Sequence, residues 1–285
     1  MGAMVALQNL NATSRELSVT QNRINTGLKV ANARDNGAIY NIAQQQRSEL
    51  SAYDAIRNGL NRAKSIADVG LAAGEALSDI FTQMREKAVA AADSSISDTS
   101  RAAFNQDFEA LRNQVPSIIA NAVFDGANIL GGAALPLPTF LTFLANPTGS
   151  QAIQLPSLDL NLAAGAGTAP PPPPAVATAI YLGAGSNLGS ALLAETARDQ
   201  VAASLNYINS EMARLGASAK RIENHEIFVG KLQDTIRGGI GNLVDADLAV
   251  ESARLQAAQV KQQLGTQALS IANQAPQSIL SLFRQ

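Results

Sequence analysis

The chain has 285 residues, 46% of them hydrophobic but only 4% aromatic, with no Trp, no Cys and a single His, His225. Twenty-one Lys and Arg nearly cancel 23 Asp and Glu, so the net charge of -2 supplies no long-range field toward nucleic acid or anionic lipid. Without Cys there is no disulfide, thiolate or sulfur-ligated metal, and one His leaves almost no room for Ser-His or Cys-His nucleophile pairs. Nucleic-acid partners, cofactors, metals and catalysis are therefore not expected.

The N-terminal stretch from Met1 to Ser14 carries no charged side chain, and Leu10, Leu17 and Ile24 recur every seven residues. It has no basic segment followed by an apolar one, so an ordinary secretion signal is not expected, nor is membrane insertion anywhere in the chain. Ile56, Leu60, Ala63 and Ala67, then Leu77, Phe81 and Met84, follow at helical spacing. Asp93-Ser-Ser-Ile-Ser-Asp98 breaks that pattern. A further helix is predicted from about Thr99 to Ala122, with Phe104, Phe108, Leu111 and Val115 on one side and Pro116 kinking or shortening it.

Composition changes after Asp125. Asp159 is the only charged residue between Asp125 and Glu195, and nine of eleven prolines lie between Pro136 and Pro174. Thr139 to Leu144, the turn chemistry of Asn146-Pro147-Thr148-Gly149, and Gln151 to Leu155 predict a small hairpin. Pro170 to Pro174 predicts a stiff extended spacer on the surface.

From Val201 the chain returns to helix. Leu205, Ile208, Met212, Leu215, Ala219 and Ile222 alternate by four and three, and the register continues through Val229, Ile236, Ile240 and Leu243 with polar interruptions at Glu226 and Gln233. This is a coiled-coil stripe, and Ala197 to Arg237 as one helix would run about 60 Å. Gly238, Gly239 and Gly241 should loosen it, with Asp245 or Asp247 capping a new helix toward the C-terminus. An antiparallel bundle with the two chain ends side by side is the natural closure.

No charged residue occurs from Gln262 to Phe283. A terminal helix so apolar is hard to keep alone in water, because its exposed face forgoes about 25 cal/mol per Å². Its polar groups are mainly amides, which satisfy hydrogen bonds without the cost of burying ions. Leu264, Ile271, Ile279, Leu280 and Leu282 are the candidates for packing between chains, with Leu7, Leu10 and Leu17 opposite them; a terminal helix buried within one molecule is the alternative.

Gln262-Gln-Leu-Gly-Thr266 through Ala272-Asn-Gln-Ala-Pro-Gln-Ser-Ile-Leu-Ser-Leu-Phe-Arg284 resembles the C-terminal signature of bacterial flagellins. Arg23-Ile-Asn-Thr-Gly-Leu28 followed by Ala33-Arg-Asp-Asn-Gly-Ala38 resembles the family's turn between inner helix and outer bundle. Phe124-Asp-Gly126 ahead of Asn128-Ile-Leu130 resembles the end of its N-terminal region. The resemblance covers 1–130 and 190–285. It departs at the start, where the family's usual leading residues have no match, so a shortened inner helix is expected, and before the last helix, where only Asp245 of the usual motif carries over.

The resemblance implies a mainly α protein: an elongated antiparallel helical bundle with paired terminal helices and a small hairpin-containing insert. Its parts would be an inner helix at 1–34, bundle at 35–126, insert at 127–190, bundle at 191–240 and a C-terminal inner helix at 241–285. It implies a structural filament subunit, secreted through the flagellar export apparatus, with a flagellin chaperone, the filament cap and hook-junction proteins as partners and copies of itself as the polymer. A hook-filament junction protein is the near alternative. At the segment that an innate immune receptor reads in many flagellins, Gln83 stands for an Arg and Lys87 for a Leu, beside Arg85 and Glu86; weak recognition follows from the lost guanidinium fork and the added charge.

Two features tempt toward chemistry. Gly183-Ala-Gly185-Ser-Asn-Leu-Gly189 superficially resembles a dinucleotide loop and would make the chain a nucleotide-binding enzyme, but no series of βαβ units surrounds it. His225 sits among Glu223, Asn224 and Glu226 without a second His at ligand spacing, so a solvated helix residue is expected.

Overall fold

The computed structural model describes residues 2–131, 140–163 and 180–282, with side chains of the terminal helices from Met4 to Ile271. Five helices and one hairpin make up the regular structure of these residues: α1 (Gly2–Thr26), α2 (Gly37–Ala92), α3 (Asp98–Asn121), β1 (Phe140–Leu144), β2 (Ala152–Pro156), α4 (Ala191–Val244) and α5 (Leu248–Leu282). Thr139 and the predicted proline spacer, Pro170 to Pro174, lie outside the described residues. Two compact units divide the chain, one of 1–51 with 232–285, the other of 52–231.

In the 52–231 unit the coiled-coil stripe of α4 is the core. Val201, Ile208, Leu215, Ile222 and Val229, seven apart, are all fully buried, while Leu205, Met212 and Ala219 between them are half-buried. Ile56, Leu60, Ala63, Ala67, Leu77, Phe81 and Met84 of α2 meet them, with Phe108 and Val115 of α3. Ser78 bonds Asn209 at 3.3 Å and Arg57 faces Glu226 at 3.9 Å, which makes α2 and α4 antiparallel. Gly70 and Gly74 lie between those pairs. A Cβ at Gly74 would stand 2.0 Å from Met212 Sδ, and one at Gly70 3.1 Å from Leu215 Cδ2. The helices therefore approach through a notch on α2, filled from α4 by Met and Leu instead of aromatics.

Helix ends are closed by side chains. Asp93 to Ser97 separates α2 from α3, as the broken pattern predicts. Ser97 caps α3 by accepting from Ser100 N at 3.2 Å, and buried Arg101 donates to Ala91 O and Asp93 O at the end of α2. The Ser95 backbone N–H holds the Asp93 carboxyl below the usual carboxylate range. Pro116 neither kinks nor ends α3, which runs on to Asn121. Val115 and Ile119 on either side of it are buried, and that packing outweighs the missing backbone donor. Asn128 then closes the helix, donating to Ile119 O at 2.6 Å.

The hairpin is a two-stranded antiparallel sheet in the register Leu141↔Leu155 and Phe143↔Ile153. Ile153 and Leu155 point into the core, while Phe140, Thr142 and Leu144 face outward. His225 holds it down. Its Nε2 donates to Ala145 O at 2.8 Å and its ring leans on Phe228, so it is half-buried where a solvated residue was expected.

In the other unit α4 continues unbroken through Gly238, Gly239 and Gly241 to Val244. Ile240 and Val244 bury against Val30 and Ala43, which compensates the low helix propensity of the glycines. Gly27, at φ +70°, ends α1, and the following strand-like residues lock onto the α4–α5 turn through Lys29 N to Val244 O at 2.7 Å and Ala246 N to Gly27 O at 2.9 Å. Asp35 accepts from Ala31 N and Asn32 N, Asn36 caps α2 through Ile39 N, and Asp247 caps α5 through Ala249 N at 3.0 Å.

Truncating the stripe should cost what burial dictates. Ile222→Ala, at a fully buried position, should lower unfolding free energy by about 2–5 kcal/mol. Ile227→Ala, half exposed five residues on, should stay within about 0.5 kcal/mol. Urea melts of the two variants measure the difference.

Candidate assembly interface

The charge-poor ends form a pair. α1 packs along α5 in antiparallel register: Leu10 Cδ1 would lie 3.2 Å from a Cβ at Gly265, Glu16 faces Lys261 at 3.9 Å, and Arg23 reaches Glu251 at 3.2 Å. On α1 the inward side is Ala6, Leu10, Thr13, Leu17, Thr20 and Ile24; on α5 it is Glu251, Leu255, Ala258, Gln262, Gly265 and Leu269. Both sets alternate by four and three, the spacing of a coiled-coil seam. Gly265 lets the backbones close at Leu10, and the small Ala258 does the same where the register brings Leu17.

Glu251 anchors the end of this seam nearest the turn. Its side chain is only 5% exposed, and its Oε1 accepts from Arg23 of α1 at 3.2 Å and Arg254 of α5 at 2.8 Å. A carboxylate so buried is tolerable only when paired, so the contact fixes which residues of α1 and α5 lie opposite. The sequence reading missed this pair; a lone Glu in an otherwise apolar seam position was the signal.

α5 carries a second stripe that touches nothing. Val250, Ala253, Ala257, Val260, Leu264, Gln267 and Ile271 alternate by three and four and are all exposed, Val260 at 54%, Leu264 at 59% and Ile271 at 68%. At 3.6 residues per turn it lies about 150° around the helix from the α1-facing seam. α1 likewise shows Met4, Val5, Leu7 and Val19 to solvent. The expected packing set thus divides. Leu10 and Leu17 lie in the seam within one chain, whereas Leu7, Leu264 and Ile271 face out and do not oppose them. Ile279, Leu280 and Leu282 fall on the last turns of α5, whose side chains lie outside the described residues.

The receptor-type segment lies on α2. Gln83, Arg85 and Glu86 are exposed, and Lys87 is half-buried. Lys87 Nζ bonds Asp107 Oδ2 of α3 at 2.8 Å and sits 5.9 Å above the Phe104 ring; the Asp107 carboxylate holds its ammonium pKa above the ordinary lysine value.

The glycine loop before α4 is packed rather than open. Gly183 N donates to Ser186 Oγ, Ala184 N to Ala163 O, Leu188 N to Asn105 Oδ1 and Gly189 N to Asn187 Oδ1, while Ser186 Oγ donates to buried Gln200. Its amides close the return from insert to bundle, leaving no ring of free donors for a pyrophosphate. The described residues contain no group of three or more potential metal ligands and no helix long and apolar enough to cross a membrane.

Two family models match the chain, the bacterial flagellin N-terminal helical region over residues 1–134 and the C-terminal helical region over 199–283. Flagellin FljK of Caulobacter vibrioides is 45% identical over 283 residues, covering 99% of this chain and 96% of that protein. A flagellin of Brucella melitensis is 33% identical over 282 residues, with 99% and 96% covered. The crystal structure of Bacillus cereus flagellin aligns with a TM-score of 0.48 at 19% identity, over 60% of this chain and 87% of that one. With matching N- and C-terminal regions and relatives aligned almost end to end, the chain belongs to the bacterial flagellin family, whose members are structural subunits of the extracellular flagellar filament.

Proposed function

We propose that this flagellin polymerises through the outward stripe of α5, with Leu264 and Ile271 seating against neighbouring copies and the outward face of α1, including Leu7, closing the same contact from the other side. The observation that carries this reading is an uninterrupted apolar seam with coiled-coil spacing and no partner in its own chain. Burying one Leu or Ile there stabilises the polymer by about 1.5–3 kcal/mol, and several in register suffice for a stable filament. Ile279, Leu280 and Leu282 extend the same contact by sequence. Leu10 and Leu17 act one step earlier, by holding α1 on α5 so that the stripe is presented.

The task is mechanical, without catalysis: the subunit transmits torque as part of a helical polymer. The flagellar export apparatus, a flagellin chaperone, the filament cap and the hook-junction proteins are its partners in secretion and growth. Relatives named as flagellins, 45% identical over nearly the whole chain, favour a filament subunit over a hook-filament junction protein. We also read the segment around Gln83 and Lys87 as a weak ligand for the innate immune receptor, because Lys87 is engaged with Asp107 and Gln83 lacks the guanidinium fork.

Leu264→Asp should abolish filaments at concentrations where the wild type polymerises, by raising the concentration for growth more than about tenfold, while the urea midpoint stays unchanged. Electron microscopy and sedimentation read the first, circular dichroism the second; wild-type filament yield would overturn the interface. Receptor binding should be weak for the wild type and should tighten in the double variant Gln83→Arg, Lys87→Leu, measured as affinity for the receptor ectodomain. A wild-type affinity equal to that of recognised flagellins would overturn the second reading.

A further inference from the structure

The 52–231 unit carries an apolar projection at one end of α2 and an apolar groove at the other. The groove, of about 360 Å³, lies between α2 and the hairpin, lined by Ala52, Ala55, Ile56 and Gly59 on one side and Phe143 and Leu144 on the other. Small residues on α2 leave it open: a Cβ at Gly59 would meet nothing within 4 Å. The projection is the first turn of α4, where Leu192 is 72% exposed and Leu193 37%. The antiparallel pairing of Arg57 with Glu226 and of Ser78 with Asn209 puts Leu192 beside the far end of α2, near Asp93. At 1.5 Å per residue, Ala55 and Leu192 are then roughly 55 Å apart along the unit.

We propose that Leu192 and Leu193 of one copy insert into the α2–hairpin groove of the next, so that the 52–231 units stack head to tail. The inference rests on the filament reading above and adds a contact separate from the α5 stripe. A second copy is the occupant for three reasons. An open polymer requires two different complementary surfaces on each subunit, and these two are different, apolar and at opposite ends of one unit. They are too far apart to satisfy each other within a chain. Their rims also carry opposite charge: exposed Asp93 and Glu195 flank the leucines, whereas the Arg57 and Arg221 side chains flank the groove. The contact sets the axial spacing of subunits at the distance from projection to groove.

The chain has no cysteine, so a single engineered pair reports the contact without background. Leu192→Cys with Ala55→Cys, assembled into filaments and treated with copper phenanthroline, should give a ladder of dimers, trimers and longer species on a non-reducing gel. A disulfide needs Cα atoms within about 7 Å, so the pair cannot close inside one chain. Either cysteine alone should leave the protein monomeric on the gel. If that pair impairs assembly, Leu193→Cys with Gly59→Cys should give the same ladder. Filaments of either double variant without a ladder overturn the head-to-tail contact and leave the α5 interface standing. A wild-type chain that forms no filaments under any condition overturns the filament reading and this contact with it.

Discussion

A single helix with two apolar seams organises the terminal part of this molecule. α5 gives one seam to α1 in its own chain and turns the other, about 150° away, to solvent. In its run from Val250 to Gln256, Val250 and Ala253 serve the outer stripe, Glu251 and Leu255 the inner one, and only Ser252, Arg254 and Gln256 remain between. A helix so constituted is incomplete as a monomer, because water cannot repay the exposed stripe. Polymerisation completes it, and the lack of charge from Gln262 to Phe283 is the same constraint seen in composition, since a fixed ion there would be stranded when the copies close.

The inner seam must hold before the outer one can be presented. Leu10 against Gly265 and Arg23 with Arg254 on Glu251 set its register at two places. Apolar spacing alone would tolerate a shift by one heptad, whereas a buried carboxylate left without its arginine would not. The strand-like residues after Gly27, bonded to Val244 and Ala246, tie the same two segments together at the turn. These contacts account for the short motifs that mark the family: a glycine that ends α1, an aspartate that closes the loop and an asparagine that starts α2.

The 52–231 unit solves a different problem, a long thin core with few aromatics. Its layers come from Ile, Leu and Val every seven residues on α4, a glycine notch on α2 that lets Met212 and Leu215 in, and a hairpin pinned by His225. Such a core stays narrow along its length, and so can carry distinct surfaces at its two ends. Head-to-tail contact between those ends and lateral packing of the terminal helices are then independent contributions to one polymer.

Local chemistry determined much of this from sequence alone. The α4 stripe, the break at Asp93 to Asp98 and the Asn146 to Gly149 hairpin were legible because heptad spacing and turn residues act over a few positions. Four things were decided only by tertiary packing. Pro116 stays inside α3 and Gly238 to Gly241 inside α4 because buried neighbours override propensity. His225 turned inward because a hairpin eighty residues earlier in the chain offers it a carbonyl. The glycine loop spent its amides on residues far away in sequence. Most consequentially, Leu10 and Leu17 face their own chain while Leu7, Leu264 and Ile271 face outward. Both seams of α5 obey the same three-and-four spacing, so periodicity names the apolar positions but is blind to which stripe α1 covers; the register fixed at Glu251 makes that choice.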